Sequence, residues 1–497
     1  MSTSASVRFI DVNRAQVELR IVDLETLIPP SHPARAIWEL TECLDLAVFS
    51  RAAKSLEGQA GRPCWPPRLL VSLWAYAYSI GVASARAIER MLAHEPGMRW
   101  LTADRVINYH TLADFRVGHD QALEQVFTQI LAALAGEGIV DFGTVLQDGT
   151  KVRTVAGRGS FHRAKTLEKR LRQARQVVRE LDRRAASGGE GQDARREAAE
   201  RRAARETVER MKAALDKAKQ LQKQAPKAER EEVRVSDSEP DARKMKQPDG
   251  GWAPSYNVQV STEARSRIIV AVDVCDAAND MQQLMPAVDK VAAYCGRKPE
   301  RLIADNGYAS RANVEQATAA GVELIAPWKD EAARQAGACK VNGVAAGFGP
   351  ADFHLNRGGK TLRCPAGMTL TILKDKRHHG RDGKLFVAAE SECANCRLRP
   401  QCCGDRPGPR QVLRTAETAA MRQYLARMKK SAVKALYKKR SEIAEFPHLW
   451  AKGVKKWRRF SVRGLVKART EALWVALAYN LTQWIRIRSE RSATTAA

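Results

Sequence analysis

Two short apolar runs, each carrying an aspartate followed by a glycine, place the strongest constraint on how this chain folds. The first run is Val-Leu-Gln-Asp-Gly-Thr at residues 145–150, and the second is Leu-Ile-Ala-Asp-Asn-Gly-Tyr at residues 302–308. Runs of this length bounded by a glycine-containing turn are typical of buried strands. Each strand would then end in an aspartate, Asp148 or Asp305, at the mouth of a sheet, where the two carboxylates could share a metal ion.

The same residues also have a simpler interpretation. Asp-Gly is a common hairpin turn, and Asp-Asn-Gly is favourable turn chemistry as well. For either aspartate taken alone, the turn is the more common outcome. The rest of the chain decides between the two interpretations.

The charge balance points to a polyanionic partner. The 497 residues contain 83 Lys and Arg against 56 Asp and Glu, a net charge of +27. Such an excess favours nucleic acid, bound through its phosphates. A membrane surface is the competing partner, but we find no run of about 18 apolar residues and no signal peptide at the start. We therefore expect a cytoplasmic, nucleoid-associated protein whose ten cysteines are thiols or metal ligands rather than disulfides.

The periodicity of apolar residues predicts an α/β chain of several domains. Residues 1–140 carry short helical patterns joined by tight turns, which suit a DNA-reading domain of the helix-turn-helix kind or an ordinary helical bundle. Unbroken strands and then strands alternating with helices predict a mixed sheet covered by helices, in the order of an RNase H-like core. The predicted segments are a helical DNA-binding domain (1–140), the first core strand (141–160), an inserted basic helical hairpin (161–235), the continued core (250–330), a cysteine-rich insertion (331–420) and C-terminal helices that complete the core (421–497).

The inserted hairpin combines an apolar seam with many charges. Residues 161–235 hold 22 Lys and Arg against 13 Asp and Glu. Apolar residues step by three and four along two helical runs, which Ser187–Gly191 separates and Pro226 stops. The charges predict a solvated face, with contact to the DNA backbone as an additional role.

A cysteine-rich segment offers a second metal site. Cys393 and Cys396 form a Cys-x2-Cys knuckle, with Cys364 upstream and Cys402 downstream. Four thiolates of this kind can hold a structural zinc ion in tetrahedral geometry. His378 and His379 are alternative ligands, although surface histidines in a basic turn are the simpler interpretation, and a redox role of the knuckle is less favoured because no thioredoxin-like pattern surrounds it.

The C-terminal stretch is basic and aromatic. Its cations alternate with tryptophan and phenylalanine, a pattern that suits a nucleic-acid surface, although some of the aromatic residues must belong to the core. The predicted DNA-binding residues are Lys452, Lys455, Lys456, Arg458, Arg459, Arg463 and Lys467. Leu473, Leu477 and Leu481 predict a buried helical stripe together with Trp474 and Trp484.

Two-metal chemistry on phosphates usually needs a third acidic ligand. The candidate is Glu445, because Lys452 lies seven residues further, two helical turns along the same face, and could hold a DNA phosphate near the metal ions. Glu442 is the rival and lacks a basic partner at that spacing. Taken alone, either glutamate would be interpreted as a solvated surface residue.

Together these motifs resemble the DDE transposases of bacterial insertion sequences, which have an RNase H-like catalytic core. The resemblance rests on Gln147–Thr150, Ala304–Tyr308, Glu445 with Lys452, and Arg463–Lys467, and it covers most of the chain outside the helical hairpin. It implies that Asp148, Asp305 and Glu445 form the metal-binding triad, with intervals of 157 and 140 residues.

One motif of this family departs from its usual spacing. The pattern Tyr-x2-Arg-x3-Glu-x6-Lys fits Glu445 and Lys452, but Tyr437 and Arg440 lie one residue too far upstream. Pro447 predicts a helix break just after Glu445 that would absorb the offset.

The resemblance implies a mechanism and partners. The triad would hold two Mg²⁺ or Mn²⁺ ions about 3.5–4 Å apart, cleave the phosphodiester at the transposon end and join the freed 3′-hydroxyl to target DNA. The partners would be double-stranded DNA, as terminal inverted repeats and as target, and at least one further copy of the chain. The alternatives are a metal-dependent nuclease on the same fold without strand transfer, and a non-catalytic DNA-binding transposase remnant.

Overall fold

The computed structural model describes residues 23–50, 63–186, 192–328, 343–376, 382–404, 407–415 and 417–496. Histidines His378 and His379, considered above as zinc ligands, lie outside these residues. The chain divides into two compact units, residues 1–119 with 485–497 and residues 120–484. Within the part that the structure describes, no helix is long and apolar enough to cross a membrane.

The first unit is helical, as predicted. Its helices are α1 (Pro33–Glu42), α2 (Pro67–Ser79), α3 (Ala85–Met91), α4 (Pro96–Thr102) and α5 (Tyr109–Val117). Proline occupies the first position of α1, α2 and α4, where the missing N–H costs no intrahelical hydrogen bond. Helix α2 is buried from Leu69 to Ser79, so it forms the centre of this unit, and Trp74 Nε1 donates to the Leu112 carbonyl of α5 at 3.1 Å.

The second unit contains the predicted mixture of strands and helices. Its helices are α6 (Asp120–Gly136), α7 (Ala164–Ala186), α8 (Gln192–Gln224), α9 (Leu284–Cys295), α10 (Arg311–Ala319), α11 (Glu390–Ala394), α12 (Arg399–Cys403), α13 (Ala419–Met428), α14 (Ser431–Lys438), α15 (Arg440–His448) and α16 (Leu465–Ala496), the last of which continues into the first unit. The strands are β1 (Thr144–Arg153), β2 (Phe161–His162), β3 (Val235–Ser236), β4 (Arg243–Lys246), β5 (Trp252–Glu263), β6 (Ile269–Cys275), β7 (Arg301–Ala304), β8 (Glu323–Ile325), β9 (His354–Leu355), β10 (Thr361–Arg363), β11 (Thr369–Asp375), β12 (Gly383–Ala388) and β13 (Gln411–Thr415).

The central sheet has the strand order β6-β5-β1-β7-β8, and β4 pairs with the start of β5. Strands β1, β5 and β6 are antiparallel neighbours, whereas β7 lies parallel to β1 and β8 parallel to β7. The parallel pair β7 and β8 is connected through helix α10, because parallel strands need a crossover. The predicted mixed sheet is therefore confirmed, and its order is that of an RNase H-like core.

Strand β1 is longer than the sequence analysis predicts. It pairs with β5 from Val145 to Arg153, so it passes through Asp148 and Gly149 without a turn. The prediction that the strand ends at Asp148 is wrong, and so is the alternative of a hairpin turn at Asp-Gly. Backbone pairing with the long strand β5 outweighs the local turn preference of these two residues.

Strand β5 is buried on both faces rather than one. The alternation in residues 256–260 predicts that Asn257 and Gln259 face solvent, but both side chains are buried. Helices α9 and α15 both pack on β5, and alternate residues of a strand point to opposite faces. Polar side chains on this strand must therefore find partners inside the protein.

The inserted hairpin consists of α7 and α8. Strands β2 and β3 pair at its base, and Met211, Leu215 and Ala218 of α8 pack on Leu167 and Leu171 of α7. The second helix ends two residues before Pro226, as the sequence predicts. The hairpin therefore has an apolar core of its own.

The cysteine-rich segment folds as a separate antiparallel sheet. Its strand order is β13-β12-β11-β10-β9, and its core is built around Phe353, Leu370 and Phe386. At the C terminus, the predicted stripe on α16 is confirmed, because Leu473, Trp474, Leu477, Leu481 and Trp484 are all buried.

Candidate active site

Asp148 and Asp305 lie side by side on neighbouring strands. Gln147 of β1 pairs in parallel with Ala304 of β7. The residue that follows each of them in sequence is one of the two aspartates. Parallel partners in register point to the same face of a sheet. The negative charge of Asp305 accordingly helps to raise the pKa of Asp148. The structure therefore brings together the two carboxylates that the sequence analysis singled out.

Helix α15 lies over this pair. Its Ala444 packs on Leu146 and Ile303, the residues two positions before the aspartates. Arg440 and His448, one helical turn before and after Ala444, both face Asp148. Arg440 Nη2 lies 3.0 Å from Asp148 Oδ1, and His448 Nε2 lies 3.6 Å from Asp148 Oδ2.

Burial sets the protonation of these groups. It raises the pKa of the Asp148 carboxyl to about 6, an effect that the Arg440 guanidinium opposes and the charges of Asp305 and Asp280 reinforce. Burial also lowers the pKa of His448 to about 4, helped by repulsion from Lys452 and Arg440. At neutral pH, the site therefore contains an ionised Asp148, a neutral His448 and a guanidinium.

Lys452 reaches the same strand from the turn that follows α15. Its Nζ donates to Thr150 Oγ1 at 2.5 Å and to the Lys151 carbonyl at 2.6 Å. Burial lowers the pKa of this lysine to about 8. Lys452 is thus fixed against β1, two and three residues along the strand from Asp148, and its role in holding a DNA phosphate stays a prediction.

The predicted helix break after Glu445 is wrong. Helix α15 continues through Pro447 to His448, and the chain then forms a π-helical turn from Leu449 to Val454. A proline near the end of a helix removes one hydrogen bond, and a wider π-type turn accommodates such a defect. The π-helical turn, rather than a break, positions Lys452.

The predicted third metal ligand, Glu445, does not join the two aspartates. Glu445 and its rival Glu442 both lie on α15 with exposed side chains, away from the face that presents Arg440 and His448 to Asp148. Within the described ranges, no group of three or more His, Cys, Asp and Glu side chains is arranged to hold a metal ion. The fold thus brings the helix of Glu445 to the two aspartates without placing its carboxylate among them.

A buried hydrogen-bond network supports the sheet behind the aspartates. The Gln259 Oε1 atom accepts from Gln147 Nε2 at 2.8 Å and from the Tyr308 hydroxyl at 2.5 Å. Ser261 Oγ donates to Gln147 Oε1 at 2.6 Å. Because Tyr308 follows Asp305 by three residues, the network ties the Asp305 loop to strands β1 and β5.

Asp280 completes this network, although it is not among the site residues predicted from the sequence. Its Oδ1 accepts from Asn257 Nδ2 and from Gln259 Nε2, each at 2.7 Å, and lies 3.5 Å from Lys151 Nζ. The carboxylate lies against Gly149, where an added Cβ would come within 2.4 Å of Asp280 Oδ1. The signal for this network was the run of polar residues at 257, 259 and 261, alternate positions on an otherwise apolar strand.

The C-terminal cations and aromatic residues separate into two classes. Trp450, Trp457 and Phe460 are buried, so the prediction that aromatic residues here contact nucleic acid is wrong for these three, whereas the burial of Trp474 agrees with its predicted place in the apolar stripe. Their burial follows from packing of this segment on β5 and α16, as with the Tyr256–Phe460 ring contact. Most of the predicted DNA-binding cations are exposed, namely Lys456, Arg458, Arg459, Arg463 and Lys467, while Lys452 and Lys455 are half-buried.

The four cysteines predicted to bind zinc converge in the separate sheet. Cys364, Cys393, Cys396 and Cys402 line one cavity of about 30 Å³. The Met368 N–H donates to Cys364 Sγ at 3.3 Å, and the Arg410 N–H donates to Cys393 Sγ at 3.4 Å. These cysteines are free thiols, and in the described segments they are not arranged at ligand distances around a common point.

Comparisons with known proteins match two parts of the chain. A family model described as a transposase domain (DUF772) matches residues 22–118, and one described as a transposase DDE domain matches residues 363–485. The second match includes Glu445 and Lys452, whereas Asp148 and Asp305 lie between the two matches. No curated protein and no solved structure gives a significant match. Both matches are to transposase families, and together with the strand order of the sheet and the paired aspartates they indicate a DDE transposase of an insertion sequence.

Proposed function

We propose that the protein binds transposon ends and catalyses metal-dependent DNA strand cleavage and strand transfer. The observation that supports this most strongly is the position of Asp148 beside Asp305 on one face of the sheet, under Arg440 and Lys452. Two adjacent carboxylates attract divalent cations, and the cations around them suit a phosphate.

The aspartates fit a divalent metal ion. They are adjacent like charges, and burial, reinforced by repulsion from Asp305, raises the pKa of Asp148; Mg²⁺ or Mn²⁺ would compensate this unfavourable negative charge. Asp148, Asp305 and Glu445 are the proposed ligands, and the exposed side chain of Glu445 would have to turn toward the two aspartates to complete the set. A bound pair of such ions stabilises charge on the phosphate and lowers the pKa of an attacking water or hydroxyl.

The chain's own residues position the DNA. Arg440 presents several N–H donors in a planar fork, which matches two oxygens of a phosphate. Lys452, anchored on Thr150 and the Lys151 carbonyl, holds a second positive charge at a fixed place near Asp148. The exposed cations from Lys456 to Lys467, together with the half-buried Lys455, provide contact with the DNA backbone that does not depend on sequence.

The remaining partners follow from the reaction. The helical first unit would read the terminal inverted repeats, and joining two ends requires at least two copies of the chain on DNA. Cys364, Cys393, Cys396 and Cys402 would hold a structural zinc ion, which is supported by their common cavity and by the N–H···S hydrogen bonds to two of them.

The test uses purified full-length protein and duplexes that carry the ends of the element. Asp148→Asn should abolish cleavage and joining while end binding stays unchanged, because the substitution removes a ligand charge and keeps the side-chain shape. Asp249→Asn is the matched control, since Asp249 is an exposed aspartate whose Oδ2 lies 3.0 Å from Arg153 Nη2 and whose Oδ1 accepts from the Gly251 N–H at 3.1 Å. Cleavage that survives Asp148→Asn would refute the catalytic role.

The alternatives give different results in the same experiment. A nuclease on this fold would cut the ends but would not join them to a new duplex. A non-catalytic remnant would bind the ends and do neither.

A further inference from the structure

The inserted hairpin has a wide basic groove on its outer surface. The groove has a volume of about 1040 Å³ and runs along α7 and the facing part of α8. The α7 side contributes Lys169, Arg172, Arg175 and Arg179, all exposed, and among the described residues that line the groove the one acidic side chain is Glu209 of α8. The groove therefore has a strong positive charge.

The four α7 cations are not neutralised by described neighbours. None of them forms an ion pair with another residue in the part of the chain that the structure describes. The cleft at the base of the hairpin is different. There, Lys217 lies 2.8 Å from Asp276 and Arg243 lies 3.6 Å from the same carboxylate. Cations in the basal cleft thus have a structural use, whereas those in the outer groove have charge available for a partner.

The spacing of the groove cations matches a phosphate backbone. At about 100° and 1.5 Å per residue, Lys169, Arg172, Arg175 and Arg179 fall within an arc of about 120° and span about 15 Å. One strand of duplex DNA presents a phosphate about every 3.4 Å along its axis, so this span faces about four phosphates. Leu167 and Leu171 lie on the adjacent face of α7 and pack on α8, and the four cations remain exposed.

We propose that this groove, lined by Lys169, Arg172, Arg175 and Arg179, binds the backbone of duplex DNA. The inference rests on the proposed function, because DNA is the partner that a transposase must hold. It adds a contact surface outside the catalytic sheet and outside the C-terminal cations.

The test measures the salt dependence of DNA binding by the full-length protein. The probe is a fluorescent 30-base-pair duplex of random sequence, titrated by anisotropy between 50 and 200 mM salt. A triple variant, Arg172→Gln with Arg175→Gln and Arg179→Gln, removes three groove cations. Each phosphate contact contributes about 0.9 to the slope of log affinity against log salt, so the slope should become shallower by about 3.

A second triple variant provides the matched control. Arg202→Gln, Lys212→Gln and Lys219→Gln remove the same charge from exposed positions of α8 outside the groove, and should leave the slope within about 1 of wild type. Circular dichroism checks that both variants keep their helices.

The outcomes separate this inference from the proposed function. A wild-type protein that binds no duplex would refute the DNA-binding function itself. Wild-type binding with equal slopes for both variants would overturn the groove alone. Altered self-association of the groove variant in sedimentation, with an unchanged slope, would also overturn it and assign the surface to a second copy of the chain.

Discussion

At the scale of single residues, Asp148 has neighbours with opposing effects on its ionisation. It lies in a largely buried place beside the like charge of Asp305, and both effects favour its neutral form. The Arg440 guanidinium at 3.0 Å favours the ionised form. A carboxylate kept ionised by one neighbour and destabilised by another is suited to accept a divalent cation.

This balance predicts a pH-dependent contribution to stability. The folded protein holds the Asp148 proton more tightly than the unfolded chain, because burial raises the pKa from 3.8 to about 6. The stabilisation is therefore complete below about pH 4 and is lost as the pH rises through about 6. We compare the free energies of unfolding of wild type and Asp148→Asn, measured by urea unfolding with a chelator present. The free energy of unfolding of wild type, relative to that of the variant, should fall by up to about 3 kcal/mol between pH 4 and pH 7. A difference that is constant over this range would contradict the buried position of the carboxyl.

A second prediction concerns Gly149. An alanine Cβ there would lie 2.4 Å from Asp280 Oδ1 and 2.7 Å from Gln259 Nε2, so the network must shift. We expect Gly149→Ala to destabilise the protein by about 1–3 kcal/mol, the usual cost of overpacking. Gly157→Ala is the control, because a Cβ at Gly157 meets nothing within 4 Å, and it should be neutral or slightly stabilising. Equal unfolding midpoints for the two variants would rule out the close contact.

At the scale of helices and strands, the predictable features were those governed by local pattern. The apolar seam of the hairpin, the stripe on α16 and the stop before Pro226 all follow from helical spacing. Long-range pairing was less predictable. The length of β1 depends on β5, more than 100 residues away in sequence, and the burial of Asn257 and Gln259 depends on helices that cover both faces.

The same distinction explains the site. Asp148 and Asp305 could be predicted because each follows a recognisable apolar run. Asp280 could not, because its importance comes from a hydrogen bond to Gln259 that only the folded sheet creates. The contact of Arg440 with Asp148 likewise depends on how α15 packs on β1, not on the spacing of the motif.

The cysteine-containing sheet carries its own prediction. If its cysteines hold zinc, purified wild-type protein should contain about one zinc per chain, and the Cys393→Ser, Cys396→Ser double variant should contain none and should unfold at a lower temperature. Cys43→Ser serves as the control, because Cys43 is an exposed thiol in the first unit. Metal analysis by mass spectrometry that finds no zinc in wild type would remove this part of the proposal.

At the scale of the whole molecule, the cations behind the net charge of +27 include several separate groups, to which we assign different roles. Arg440 and Lys452 face the aspartates, the C-terminal cations extend from them, and the hairpin groove lies on an inserted element with its own core. We therefore expect that substitutions can abolish catalysis without weakening DNA binding, and can weaken DNA binding without removing the catalytic residues.

The central claim is that three acidic residues far apart in sequence share divalent ions. Cleavage of the polypeptide by hydroxyl radicals, generated by Fe²⁺ bound in place of Mg²⁺, tests this directly because the backbone is cut near the metal. If the three carboxylates share the ions, cuts are expected near residues 148, 305 and 445, and they should disappear with excess Mg²⁺ and in Asp148→Asn. Cuts that persist in that variant, or a pattern that lacks the position near 445, would contradict this claim.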